Sequence, residues 1–192
     1  MKKLLFVNAC IRGEDSRTWR IAAPLIEKLR ETYEVQTIDV NDLQWQAVRA
    51  EEFQARGQGK FQEHVLEYAR MMEQTDRLVI AAPFWDMSFP SALKVFFEQI
   101  SLDGYTFDNG SSTCTGRCRC EKVLYITTRG MNIPTGDIRE QAVPYLRALS
   151  TLWGLGEVQC VACENMDYIS DDEREEKIQK AITEGMEICR EF

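Results

Sequence analysis

Two kinds of hydrophobic pattern alternate along this chain. Short apolar runs are typical of strands buried on both faces, whereas apolar residues three and four positions apart indicate one buried face of a helix. The runs predict five strands, at 3–9, 35–40, 78–82, 122–128 and 158–163. The helical spacing predicts five helices, at about 19–31, 60–74, 89–100, 135–152 and 171–190.

This alternation favours an α/β fold, because parallel strands are normally joined by helices that cover both faces of their sheet. We expect a flavodoxin-like, doubly wound parallel sheet of five strands in three layers, with strand order 2-1-3-4-5. Two stretches fit neither pattern: 42–59 is interpreted as an irregular excursion and 102–121 as a glycine-containing loop. No repeat or low-complexity linker interrupts residues 1–192, which are predicted to form a single domain.

Composition narrows the classes of partner. The net charge of −8 argues against nucleic acid, because neutralising phosphates requires a basic face. No apolar run approaches the length of a membrane span, and Met1-Lys2-Lys3 leads directly into the first strand rather than into a signal peptide. The expected location is therefore the cytoplasm.

Three polar or aromatic loops follow strands that are adjacent in the expected sheet order, at the edge where such sheets bind ligands. The first contains Ser16, Arg17 and Thr18 at the start of a helix. Hydroxyls, a guanidinium and helix N–H groups suit a phosphate monoester, although Ser16 could also serve only as a helix cap. Neither G-x-G-x-x-G nor a P-loop pattern is present, which disfavours a dinucleotide or a nucleoside triphosphate.

The second loop, Pro83 to Met87, offers an aromatic wall next to one acid, and Ser88 and Pro90 are expected to open the helix that follows. The third loop, Thr127-Thr128-Arg129-Gly130, offers two hydroxyls, a charge and a glycine that permits close backbone approach. Together the loops predict a ligand with a phosphate at one end and a flat ring at the other. Flavin mononucleotide (FMN) fits that description.

The same stretches carry a family resemblance over nearly the whole chain. The segment AAPFWDMSFPSALKVFFE resembles the AAP-aromatic-Asn block of the flavodoxin-like quinone reductases, and most closely of the FMN-dependent NADH azoreductases. Thr128-Arg129-Gly130 is similar to their Ser-Arg-Gly-Gly, and Val143 to Leu146 to their proline-tyrosine-leucine helix. The chain departs from the family at three positions. Ala9 or Cys10 stands where the family commonly has Ser, Asp86 where it has Asn, and Met131 where it has Gly.

The resemblance implies tightly but non-covalently bound FMN, with NADH or NADPH as co-substrate. Hydride would pass through flavin N5 in ping-pong order to a quinone, an azo compound or a nitroaromatic. No catalytic side chain is required, and His64 is expected at the surface. The expected cofactor-binding residues are Cys10, Ser16, Arg17, Thr18, Pro83, Phe84, Trp85, Asp86, Met87, Thr128, Arg129, Gly130 and Met131.

The family is typically homodimeric, with the substrate walled in partly by the second subunit. A homodimer is therefore expected here as well. Candidates for the substrate or dimer wall are Trp45, Phe53, Tyr105 and Phe107, with local packing as the alternative role.

Three alternatives stay open at the level of sequence, and one of them is a relative of the same fold that has lost FMN. A flavodoxin-like electron-transfer protein would have the same fold but no NAD(P)H oxidation of its own. Cys114, Cys118 and Cys120 form a C-x3-C-x-C group beside basic residues, which could lower thiol pKa values and favour reversible oxidation. The same group could bind a metal, although its spacing is not one of the usual ligand patterns.

Overall fold

The computed structural model describes all residues, 1–192, and is organised around a parallel sheet. The sheet strands are β1 (Lys3–Asn8), β2 (Glu34–Asp39), β3 (Arg77–Ala81), β6 (Lys122–Thr128) and β7 (Glu157–Cys163), and two short strands, β4 (Phe107–Asn109) and β5 (Cys114–Gly116), form a separate antiparallel hairpin. The sheet order is β2-β1-β3-β6-β7, with every neighbouring pair parallel. With the hairpin strands left out of the count, this is the predicted 2-1-3-4-5 order, and the fold class is confirmed.

The chain forms six helices: α1 (Arg17–Arg30), α2 (Ala50–Gly57), α3 (Glu63–Glu73), α4 (Ser91–Ile100), α5 (Ala142–Trp153) and α6 (Asp171–Glu191). All of them except α2 pack on the two faces of the sheet. Side chains alternate between the faces of β1, so Leu4 and Phe6 pack towards α1 and α6. Leu5 and Val7 belong to the other core, with α3, α4 and α5. The central strands β1, β3 and β6 are buried on both faces because helices cover both, which gives the expected three layers.

Both irregular stretches contain secondary structure that the hydrophobic pattern missed. The excursion at 42–59 includes α2, whose eight residues bury no complete side chain. A polar network holds this stretch on α4, since Gln99 Nε2 donates to the Gln46 carbonyl at 2.8 Å and Arg56 Nη1 donates to the Glu98 carbonyl at 3.2 Å. The loop at 102–121 contains the β4–β5 hairpin, which is too short and too exposed to give a strand signal.

Two predicted helix starts were wrong for identifiable reasons. The helix expected from 135 begins at Ala142, because the buried Glu140 carboxylate accepts from the N–H groups of Ala142 and Val143 at 2.9 and 3.1 Å. The helix expected to be capped by Ser88 begins at Ser91, with Pro90 in the cap position. Ser88 is instead engaged in a tight turn with Trp85. None of the helices combines the length and apolar character needed to cross a membrane.

Candidate functional site

The carboxyl ends of β1, β3 and β6 meet at one edge of the sheet and frame a cleft of about 300 Å³. The strand order produces this convergence, because the three strands are direct neighbours and all run the same way. The lining residues are Ile11, Arg12, Ser16, Arg17, Pro83, Phe84, Trp85, Thr128, Gly130 and Asp167. Seven of the residues expected at the site therefore line one cavity.

The start of α1 forms one end of the cleft. Ser16 has an extended backbone and its hydroxyl accepts weakly from the Trp19 N–H at 3.4 Å, so Ser16 caps the helix and also lines the cavity. The N–H groups of Arg17 and Thr18, in the first turn, have no acceptor within the helix. With Arg17 and Arg12 beside them, these donors form a site suited to an anion.

Thr18 contributes to the framework rather than to the lining. Its side chain is fully buried, and its hydroxyl lies 2.7 Å from the hydroxyl of Thr128. This hydrogen bond joins the first turn of α1 to the end of β6. The anion-binding end of the cleft is thereby fixed relative to the third loop.

The second loop forms an aromatic wall. Its backbone continues the sheet ladder, since the Phe84 N–H donates to the Thr128 carbonyl at 3.0 Å. Trp85 and Ser88 then exchange two backbone hydrogen bonds, at 3.2 and 2.7 Å, which closes a two-residue turn. Trp85 is left 47% exposed over the cavity that Pro83 and Phe84 also line.

Asp86 and Met87 occupy the tip of this turn with positive φ angles of 46° and 65°. Two consecutive left-handed residues are what a type I′ turn requires, and they are unfavourable for a side chain such as methionine. Both side chains are exposed and neither lines the cleft. The turn thus places Asp86 and Met87 beside the cleft and outside its lining, and their contact with a cofactor stays a prediction.

The third loop divides its residues between the cleft and the core. Thr128 and Gly130 line the cavity, whereas Arg129 is completely buried behind it and Met131 is exposed outside it. Arg129 Nη1 donates to the Ile133 carbonyl at 2.8 Å, and its guanidinium lies 5.6 Å from the centre of the Phe84 ring. Arg129 therefore supports the aromatic wall from behind instead of lining the cleft.

A buried carboxylate accompanies this buried guanidinium. Glu140 Oε1 lies 4.0 Å from Arg129 Nη2, and neither side chain is exposed to solvent. Arg129 Nε and Glu140 Oε2 have no hydrogen-bond partner within the chain. Burying this charge pair consequently costs free energy of folding, and burying either charge without the other would cost more.

Cys10 also lies beneath the cleft and not in its lining. Its thiol is buried, with Sγ 3.7 Å from the Ala81 carbonyl. Burial raises the pKa of this thiol to about 11, although a hydrogen bond with Ser16 acts in the opposite direction. Cys10 is therefore a neutral thiol at ordinary pH and lies outside the lining of the cleft.

Asp167 is a lining residue that sequence reasoning missed. It follows the edge strand β7, which was not among the strands expected to frame the site. Its Oδ1 lies 2.7 Å from Arg17 Nη1, and its carboxylate lies against Gly130. Ile11 and Arg12 also line the cleft and were not predicted. The only feature of the sequence that pointed to them is their position between the end of a strand and the start of a helix.

The aromatic residues expected to wall the substrate are dispersed. Trp45 packs against Tyr68 and Phe96, with ring centres 5.2 and 5.9 Å apart, and lines an apolar groove that shares Ile11 with the cleft. Phe53 is 72% exposed on α2. Tyr105 and Phe107 follow α4 at the amino-terminal edge of the sheet, so within one subunit they do not line the cleft.

The three cysteines at the same amino-terminal edge do not form a reactive or metal-binding cluster. Cys114 is exposed on the hairpin, whereas Cys118 and Cys120 are buried. Burial raises the pKa of both buried thiols to about 12, which overturns the expectation that nearby cations lower it. The structure contains no group of three or more His, Cys, Asp or Glu side chains arranged to hold a metal ion.

Fold and cleft together define a doubly wound α/β domain with a ligand site across the carboxyl ends of its central strands. The chain matches the family described as "Flavodoxin-like fold" over residues 2–187, and it belongs to that family. The FMN-dependent NADH:quinone oxidoreductase 2 of Clostridium acetobutylicum is 30% identical over the whole of both chains. The FMN-dependent NADH:quinone oxidoreductase of Clostridium perfringens is 26% identical, also over the whole of both.

Solved structures agree on the fold. An azoreductase from Bacillus anthracis superposes with a TM-score of 0.86 at 20% identity, covering all of both chains. An FMN-dependent NADH-azoreductase from the same species, in complex with FMN, superposes with a TM-score of 0.81 at 17% identity, covering 98% of this chain and 100% of that one. The family resemblance inferred from the sequence is confirmed.

Proposed function

We propose that this protein is an FMN-dependent NADH oxidoreductase that reduces quinones or azo compounds. The observation that carries the proposal is one cleft with an anion-binding helix start at one end and an aromatic wall at the other. The names of the relatives that match over the full length of the chain support it.

The donor set of the cleft fits FMN. The first-turn N–H groups of α1, with Ser16 and Arg17, would hold the phosphate. Phe84 and Trp85 would lie against the ring system, and Gly130 has no side chain to obstruct it. This set is narrower than the one expected from sequence: Cys10, Thr18 and Arg129 lie behind the cleft, and Asp86, Met87 and Met131 lie outside its lining.

FMN, when bound, supplies the ability to accept a hydride from NADH and to pass two electrons to an oxidant. The chain's own part is then to bind and orient. No His lines the cleft, because His64 lies on the exposed side of α3 against Trp45. A single open cleft favours ping-pong order, in which NADH leaves before a quinone, azo compound or nitroaromatic enters the same face.

A homodimer in the cytoplasm belongs to the same proposal. Exposed apolar side chains surround the cleft, namely Ile11, Trp85, Met87 and Met131. A second subunit that covered them would enclose the ring of the flavin, and the groove containing Trp45 continues this apolar surface. Light scattering on the purified protein at several concentrations would give the subunit count, and a monomer throughout would contradict this part.

The visible spectrum of the purified protein tests the central claim. We expect flavin absorption that anaerobic NADH bleaches and that a benzoquinone or an azo dye restores. A parallel titration with NADPH decides between the two co-substrates. Flavin that NADH does not bleach would indicate an electron-transfer protein instead, and a protein that remains colourless after addition of FMN would refute the proposal.

A further inference from the structure

One lining residue of the cleft has the wrong charge for an anion site. Asp167 Oδ1 lies 2.7 Å from Arg17 Nη1, at the end of the cavity that offers Arg12, Arg17 and the start of α1 to a phosphate. Glu14 and Asp15 precede α1 as well, but they do not line the cavity. Asp167 is therefore the one carboxylate in the lining.

Backbone hydrogen bonds hold Asp167 in this position. The loop after β7 pairs with the loop after β6, since the Met166 N–H donates to the Arg129 carbonyl at 3.0 Å and the Asp167 N–H donates to the Gly130 carbonyl at 3.1 Å. Its carboxylate lies so close to Gly130 that a Cβ there would be 1.9 Å from Oδ2. The backbone of Asp167 is thus fixed at the wall of the cleft, and its carboxylate lies beside Gly130 while 57% of the side chain is exposed.

The same loop also binds Arg17 without using the charge of Asp167. Arg17 Nη1 donates to the Met166 carbonyl at 3.1 Å, in addition to its bond with the carboxylate. Removing the charge of Asp167 would therefore leave Arg17 attached to the cleft wall. What would change is the electrostatic potential at the anion site, because a phosphate and Asp167 compete for one guanidinium.

We propose that Asp167 sets the affinity of the cleft for phosphate-bearing ligands by partly neutralising Arg17. The identity of the ligand as FMN rests on the function proposed above. In this role Asp167 weakens binding of the phosphate end and leaves binding of the ring almost unchanged. It makes the cleft less selective for the phosphorylated flavin over riboflavin than its helix start and arginines would allow.

The test compares FMN with riboflavin, which lacks the phosphate, in Asp167→Asn, wild type and Glu34→Gln. Glu34 is exposed at the amino-terminal end of β2, so its variant makes the same change in net charge at the opposite edge of the sheet. Apoprotein is titrated while flavin fluorescence is recorded. We expect D167N to bind FMN about five-fold more tightly, which is the effect of removing one opposing, partly exposed charge. Riboflavin affinity should change less than two-fold in D167N, and E34Q should match wild type for both flavins.

Several results would overturn the inference. D167N could bind FMN more weakly, which would mean that the carboxylate is needed to orient Arg17. An equal gain for riboflavin would place the effect on the ring, and an equal gain in E34Q would make it a matter of net charge. An FMN affinity unchanged from wild type would also refute it.

A second measurement separates this inference from the proposed function. Inorganic phosphate is added to each apoprotein and the rise in unfolding temperature is measured. The rise should be larger in D167N than in wild type or E34Q, and this holds even if no variant binds flavin. Absence of flavin binding would refute the proposed function, whereas equal phosphate responses in all three proteins would refute the role of Asp167.

Discussion

The two edges of the sheet both carry segments rich in polar, aromatic or sulfur-containing side chains, yet only one of them forms a site. At the carboxyl edge, three loops leave N–H groups, arginines and an aromatic wall facing one cavity. At the amino edge, Cys118 and Cys120 are buried and Arg117 is bound to Asp108 and Glu73 at 3.0 and 3.1 Å. A stretch of sequence rich in potentially reactive residues therefore does not by itself indicate a ligand-binding site.

Strand direction explains this difference. Every sheet strand ends at the carboxyl edge, and each of the five ends is followed by a loop that leads to a helix start, where the helix dipole is positive and first-turn N–H groups have no partner within the helix. At the amino edge, helices end and the chain leads into the next strand, and the backbone polar groups of these segments form hydrogen bonds with one another. For example, the Cys118 N–H donates to the Trp153 carbonyl at 2.9 Å.

The largest effect should come from breaking the buried charge pair behind the cleft. We expect Arg129→Met to destabilise the fold by about 3 to 5 kcal/mol, because it leaves the Glu140 carboxylate buried without its partner. Urea unfolding of the apoprotein measures the change in the free energy of unfolding.

The double variant Arg129→Met/Glu140→Gln provides the control, because it removes both charges. It should recover part of the lost stability, and the remaining deficit reflects the hydrogen bonds from Arg129 to Ile133 and Thr135. If the double variant were less stable than the single one, the Glu140 charge would not be the source of the cost.

Arg129 also shows which features of the site the sequence predicts and which it does not. The order of strands and helices, the sheet topology and the convergence of three loops follow from hydrophobic periodicity and the rules for parallel sheets. Which side of a loop a residue faces does not follow. Thr128 and Gly130 line the cavity, but Arg129 between them faces the core. There it lies near Glu140, a residue of a later part of the loop.

Asp167 illustrates the complementary limit. Its place in the cleft depends on hydrogen bonds between two loops and on the missing side chain of Gly130, and no local pattern in the sequence encodes such pairing. The start of α5 was misplaced for a similar reason, since a single buried carboxylate, Glu140, determines it. Long-range polar contacts thus account for the main errors at the site.

The second largest effect tests the aromatic wall. We expect Trp85→Ala to weaken binding of FMN and of riboflavin equally, by about tenfold, since stacking on an aromatic ring contributes about 1 to 2 kcal/mol. Fluorescence titration of the apoprotein measures both affinities. Trp85→Phe keeps an aromatic ring and should retain most of the affinity, whereas a loss confined to FMN would place Trp85 at the phosphate.

A smaller and opposite effect should come from the turn that presents this wall. Met87→Gly is expected to stabilise the fold by about 0.5 to 1 kcal/mol, because Met87 has a φ of 65° that glycine adopts without strain. Met131→Gly is the control, as Met131 lies in the neighbouring loop without a positive φ and should lose a little stability to backbone entropy. Chemical denaturation of both variants measures their free energies of unfolding. An equal loss of stability in the two variants would mean that the turn at Met87 is not strained.

The smallest effect belongs to the amino edge. Cys114→Ser should change the free energy of unfolding by less than about 0.5 kcal/mol and leave FMN affinity unaltered, because Cys114 is exposed and far from the cleft. In the native protein at pH 8, iodoacetamide should modify Cys114 but neither Cys118 nor Cys120, since their burial raises the pKa of each thiol from 9.0 to about 12.

The raised pKa values also give this edge a pH dependence. Because the thiols of Cys118 and Cys120 stay protonated in the folded state, their contribution to stability is complete below pH 9.0 and is lost as the pH rises towards about 12. Peptide mapping after alkylation at pH 8 and pH 10 provides the check. Rapid labelling of Cys118 or Cys120 at pH 8 would mean that the hairpin region opens in the native protein, and the amino edge would then have accessible thiol chemistry after all.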